Sequence, residues 1–157
     1  MSTDRKSLQQ QYSPQSVCFG CGPSHASGLH VNSFLQEDGT VVCDWEPDPK
    51  YEAFEGTLYG GLIGCLFDCH CNWTASHHLM ITNGLPSPPC SVTAKYAVKF
   101  LRPTPSDQTV HLVARVIDSS EDRATVSGEL QSGGTLCATF EGTFVAVKPG
   151  HPAYHRW

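Results

Sequence analysis

Gly60 and Gly61, with Asp68 seven positions beyond the second glycine, are the first candidates for a reactive site. Glycines opening a helix leave backbone N–H groups sterically open, and the helix dipole suits those groups to developing negative charge. Such a site could polarise a carbonyl and hold an oxyanion. The plainer alternative is a helix start packed closely on a sheet. Asp68 stands between Phe67 and Cys69 in mid-segment, where Asp has poor helix propensity and a buried charge is costly. On a helix, Gly61, Gly64, Cys65 and Asn72 would share its side. A face of small residues leaves room beside the carboxylate for a substrate, so Asp68 reads as a general base or nucleophile. A structural Asp, satisfied by the backbone or by Asn72, would not need that room.

Among the eight cysteines two clusters stand out, Cys18-Phe19-Gly20-Cys21-Gly22 and Cys69-His70-Cys71. A C-x-x-C pair can be half a zinc site or a redox pair. Gly20, Gly22 and Pro23 make it a turn-rich loop rather than the strand-to-helix setting of a redox motif. A closed zinc site needs two further ligands, and there is no second C-x-x-C. The expectation is therefore buried, reduced thiols and no metal. His70, on the apolar side of the helix, reads as a core histidine. His77 and His78, near its end, read as partners of its dipole.

Gly60 to Leu79 is the one long helical candidate, with Leu62, Leu66, Cys69 and Trp73 at helical spacing. Asn83-Gly84 and Pro86, Pro88 and Pro89 stop it. Before it, Leu29–Phe34 and Thr40–Trp45 read as strands about a Glu37-Asp38-Gly39 turn. After it, Thr93–Leu101 alternates, with Ala94, Tyr96, Val98 and Phe100 on one face and Lys95 and Lys99 on the other. Val110–Ile117, Ala124–Leu130 and Thr135–Ala146 follow as strands. The order, two strands, a helix and four strands, implies an α+β domain whose antiparallel sheet buries one face around the helix. Residues 1–16 read as a flexible lead-in, 17–147 as the single domain and 148–157 as a tail.

A chain of 157 residues at 39% hydrophobic composition suits one core. The polar, Gln-rich start carries no secretory pattern, and the longest apolar run, Leu62–Phe67, is far short of a membrane span. With the thiols, this points to the cytoplasm. A net charge of -5 argues against general nucleic-acid binding.

The segment Leu58-Tyr59-Gly60-Gly61 through Asp68 resembles the helix-opening motif of the hotdog-fold thioesterases of the phenylacetate-pathway (PaaI-like) type. That motif is usually His-Gly-Gly with an acid seven positions beyond the second Gly. Cys18–Gly22 with Gly28-Leu29, and Tyr96–Pro105 with its Phe-x-Arg-Pro ending, resemble other parts of that family. Tyr59 stands where the family most often has His, and Ala53 where many relatives carry Asn or Gln. A histidine base is thus ruled out at 59, which leaves Tyr59 to shape the pocket, and an orienting amide is either missing or supplied by Asn72. Glu52 and Glu55 read as solvated.

The resemblance implies a hotdog sheet around one central helix and hydrolysis of an acyl-CoA thioester, with no cofactor. Asp68 would act on a carbonyl polarised by Gly60 and Gly61, and Lys99 and Arg102 head the candidates for the CoA phosphates, ahead of Lys95, Arg115 and Arg123. A hydratase would need a His–Asp pair that this chain lacks, and a non-catalytic acyl-CoA-binding protein is the main alternative. The Gly60 amide and Asp68 would lie about 12 Å apart along one helix. A reacting carbonyl needs both within about 3 Å. The expected solution is a homo-oligomer, a dimer or a dimer of dimers, with each site shared between antiparallel helices.

Overall fold

The computed structural model describes residues 4–155, so residues 1–3 of the expected lead-in and 156–157 of the expected tail lie outside it. A long helix, α2 (Gly60–Thr82), is preceded by a short one, α1 (Leu8–Tyr12), and by strands β1 (Phe34–Leu35) and β2 (Val41–Trp45). A 3-10 turn (Pro49–Tyr51) and a two-stranded ribbon, β3 (Glu52–Phe54) and β4 (Thr57–Leu58), lead into α2. Strands β5 (Ser91–Phe100), β6 (Val110–Ser119), β7 (Arg123–Ser132) and β8 (Thr135–Ala146) complete the fold. The six-stranded sheet has the order β1-β2-β6-β7-β8-β5, every pair antiparallel. It wraps one face around α2, as the hotdog resemblance implied.

Helix α2 forms because its apolar side chains recur at helical spacing and find the concave sheet. Leu62, Ile63, Leu66, Phe67, Trp73 and Leu79 are buried. Phe67 stacks on Phe140 at 5.1 Å between ring centroids. The helix closes where Asn83 N–H donates to the Leu79 carbonyl and Gly84 takes φ +62°. His70 is fully buried, with Nδ1 2.8 Å from Ser33 Oγ and Nε2 3.0 Å from the Val41 carbonyl oxygen. Burial pushes its pKa down to about 4, so it is a neutral core histidine, as expected.

Three expectations change. Residues 29–33 do not join the sheet: His30 takes φ +52°, and the Leu29 and Val31 amides donate to Phe19 and Gly20 carbonyls, so the loop takes the bonds that a neighbouring strand would have made. Leu29, Val31 and Ser33 are nonetheless buried, and His30 between them is exposed. The lead-in is also not simply loose. Ser7 and Gln10 form a reciprocal capping box that starts α1. Finally, burial lowers the pKa values of His77 and His78, which disfavours the charged form that would complement the helix end.

Gln9 is fully buried and anchors α1: its amide donates to Ser33 Oγ at 3.0 Å and accepts from the Ser33 N–H at 2.8 Å. Ser33 Oγ passes the chain on to His70. Removing one member orphans buried polar groups, which costs about 1–3 kcal/mol. Gln9→Ala is therefore expected to lower the unfolding free energy by about that amount in urea titration, although Gln9 lies outside the expected domain.

Candidate active site

Tyr59 is the N-cap residue of α2 and makes no side-chain cap hydrogen bond. The first amides of a helix have no intrahelical acceptor, so the Gly60 and Gly61 N–H groups are left for other partners. Gly61 is exposed, and its lack of a side chain matters. The Tyr59 ring folds back over it, and a Cβ on Gly61 would lie 2.4 Å from Tyr59 Cζ. Phe19, Tyr51, Tyr59, Gly61, Leu62 and Cys65 line a depression of about 320 Å³ at this end of the helix.

Two turns on, Asp68 is half-buried and Oδ1 accepts a hydrogen bond from Thr93 Oγ1 at 2.6 Å. Burial raises its pKa above the ordinary 3.8, the Thr93 hydroxyl pulls it back, and the neighbouring Cys18 sulfur raises it. Asp68 and Asn72 line a second pocket of about 290 Å³ with Ser16, Val17, Cys18 and Cys69. Asn72 shares that wall, but its amide donates to the Ser91 carbonyl at 3.0 Å and its Oδ1 accepts from Ser76. The hydroxyl of Thr93 holds the carboxylate instead.

Thr93 was not legible in the alternation of its strand. Strand β5 carries a bulge: Thr93 pairs with Phe144, but Lys95 pairs with Thr143 and Tyr96 with Gly142. The extra residue reverses the facing of everything before it. Thr93 therefore shares the helix-facing side with Tyr96 and Val98, rather than the lysine side. The signal was absent from the sequence because Val92-Thr93-Ala94 continues an ordinary strand pattern.

The other candidates are spread out. Lys99 and Arg102 are both exposed on and just after β5. Glu52 is not simply solvated: its carboxylate accepts from Ser106 Oγ and the Gly56 N–H, which ties down the ribbon. Glu55 is exposed. Within one chain the structure gathers Asp68, Asn72 and Thr93 at one pocket and Tyr59 and Gly61 at another. It also brings Cys69 to Cys18 and Cys21, with the three sulfurs within 4.8 Å of one another. The sequence offers no second C-x-x-C, and this third sulfur comes from the helix instead.

The model of the thioesterase superfamily matches residues 55–138, more than half of the chain. The chain belongs to the thioesterase superfamily. The match runs from the ribbon before α2 into β8 and so includes Gly60, Gly61, Asp68 and Thr93. Among solved structures, a thioesterase superfamily protein from Shewanella loihica PV-4 is 25% identical, with a TM-score of 0.65 over 80% of this chain and 98% of that one. A phenylacetic acid degradation-related protein from Ralstonia eutropha JMP134 is 20% identical, with a TM-score of 0.68 over 90% and 100% of the two chains. A Bacillus halodurans protein solved with CoA is 21% identical, with a TM-score of 0.61 over 78% of each chain. The last two, at this identity, share the fold. No curated protein sequence matches the chain. Among the described residues, no helix is long and apolar enough to cross a membrane.

The Thr93–Asp68 contact can be measured without substrate. A hydrogen bond to a partly exposed carboxylate contributes about 1 kcal/mol. A double-mutant cycle of Thr93→Val and Asp68→Asn, read by urea unfolding, is expected to return a coupling energy of that size, about 1 kcal/mol. No coupling would mean that the hydroxyl does not hold the carboxylate.

Proposed function

We propose that this protein hydrolyses an acyl-CoA thioester to the free acid and CoA, with Asp68 as the acting carboxylate. The observation that carries the reading is a carboxylate in the middle of the core helix, held by Thr93 and opening on a pocket. Membership of the thioesterase superfamily supports the reaction class. The Bacillus halodurans relative solved with CoA supports the choice of thiol.

In this reading the open amides of Gly60 and Gly61 draw electron density from the thioester carbonyl. Asp68 takes a proton from the attacking water, or attacks the carbonyl carbon itself to form a mixed anhydride that water then hydrolyses; either way the bond to sulfur breaks, the CoA thiolate leaves and water supplies the oxygen of the free acid. Tyr59 walls the channel near the carbonyl, and Asn72 borders the carboxylate pocket. Lys99 and Arg102 are the proposed partners of the CoA phosphates.

The two halves of this machinery belong to two chains. Within one chain they line separate depressions, and the eight-residue offset from Gly60 to Asp68 spans about 12 Å of helix. A second copy fits the flank of α2 and β5, where Tyr59, Tyr96, Phe100 and Leu101 are all more than two-fifths exposed. Strand β5 is an edge strand there. A twofold axis beside α2 brings Gly60 of one copy to Asp68 of the other, so each dimer has two equivalent sites.

Released CoA, detected with a thiol-reactive dye across a panel of acyl-CoA esters, reads the activity. Asp68→Asn is expected to fold and lose about 10²- to 10⁴-fold in kcat. Turnover close to that of the unsubstituted protein would remove Asp68 from the mechanism. Gly60→Pro removes the donating N–H at a helix position that tolerates proline, so it too is expected to fold without activity. Mixing the two inactive variants makes dimers with one doubly damaged site and one intact site, so activity should return on subunit exchange. Mixed dimers that stay silent, or an active monomer, would overturn the shared site.

A further inference from the structure

The thioesterase reading leaves unused three sulfurs in the wall of the Asp68 pocket. Cys18 and Cys21 lie in a tight loop closed by the Gly22 N–H donating to the Cys18 carbonyl at 2.8 Å. The Leu29 and Val31 amides bond the loop from its other side, at 2.8 and 2.9 Å. Cys69 comes down from α2 to meet it. The three Sγ atoms lie within 4.8 Å of one another, and Cys18 and Cys69 are 3.8 Å apart. In a tetrahedral zinc site with Zn–S bonds of about 2.3 Å, two ligand sulfurs stand about 3.8 Å apart.

A donor already serves one of the sulfurs: the Trp73 indole N–H donates to Cys21 Sγ at 3.4 Å. Donors arranged around sulfur orient ligands and stabilise their anionic form. Gly20 makes the approach possible: a Cβ there would lie 2.3 Å from Cys69 Sγ. A disulfide would use two of the sulfurs and leave the third, with its donor, unexplained. Convergence of all three suits one shared ion.

We propose that Cys18, Cys21 and Cys69 bind a soft divalent cation of the zinc class. Its fourth position opens toward the pocket bordered by Ser16 and Asp68 and takes a water molecule. The ion would clamp the 16–22 loop to α2 one residue past Asp68 and so fix one wall of that pocket. This holds whether or not Asp68 is catalytic, and it reverses the expectation of metal-free thiols drawn from the sequence.

The test uses the full chain purified under reduction from cells supplied with zinc. Elemental analysis is expected to find about one zinc per chain. Cobalt(II) in its place is expected to give thiolate-to-metal charge transfer and the intense visible bands of a tetrahedral site. Cys69→Ser, confirmed folded by circular dichroism, is expected to lose both the metal and the spectrum. Cys90→Ser and Cys65→Ser, which alter thiols outside the cluster, should keep them. Chelation should lower the melting temperature of the unsubstituted protein and leave that of Cys69→Ser unchanged. A reduced protein that takes up no zinc or cobalt, a Cys69→Ser variant that keeps its full metal content, or a Cys18–Cys69 disulfide in protein purified without added oxidant would each overturn the proposal.

Discussion

Four consecutive residues of α2 hold the molecule together by pointing four ways. Phe67 stacks on Phe140 in the sheet, Asp68 accepts from Thr93, Cys69 meets Cys18, and His70 bridges Ser33 and the Val41 carbonyl. A helix turns through about 100° per residue, so one turn can address the sheet face, the edge strand, the leading loop and β2 at once. The cost is that Asp68 cannot move without disturbing the core residue beside it. The same restriction makes it a well-placed chemical group, because its backbone position is set by packing rather than by a loop.

The polar chain from Gln9 through Ser33 to His70 extends this hub. Each member is fully buried and bonded to the next. Neutral His70 is suited to the role, since an imidazolium would be costly in so apolar a setting. The chain explains why so short a helix as α1 stays on the body: its grip comes from specific buried bonds together with Leu8, not from its own helical propensity.

What was legible in the sequence follows from what sequence patterns encode. Periodicity is set by burial along one element, so α2 and the strands β6 to β8 could be read directly; β8 runs from Thr135 to Ala146 as expected. The carboxylate at 68 also stood out, because its type conflicts with its apolar neighbours. Partners across space leave no such trace. Thr93 depends on a bulge, Cys69 on how α2 docks against a loop, and the unladdered 29–33 segment on which neighbour reaches its amides first. The α1 helix did leave a signal, the Ser7-x-x-Gln10 box, but in a stretch whose polar composition resembles a disordered end.

The bulge in β5 makes the strand behave like a reading frame. A ladder has a period of two, so one extra residue decides which of two messages faces the helix. In the frame that the fold uses, a threonine hydroxyl stands beside Asp68. Pair the strand regularly through Ala94, with every residue kept, and the methyl group of Ala94 takes that place. The carboxylate would keep its helix, its depth and its small neighbours, yet face a hydrocarbon. Loss of the bulge by re-pairing of this strand would thus act on the site as a frameshift acts on a codon, changing the meaning without changing the letters.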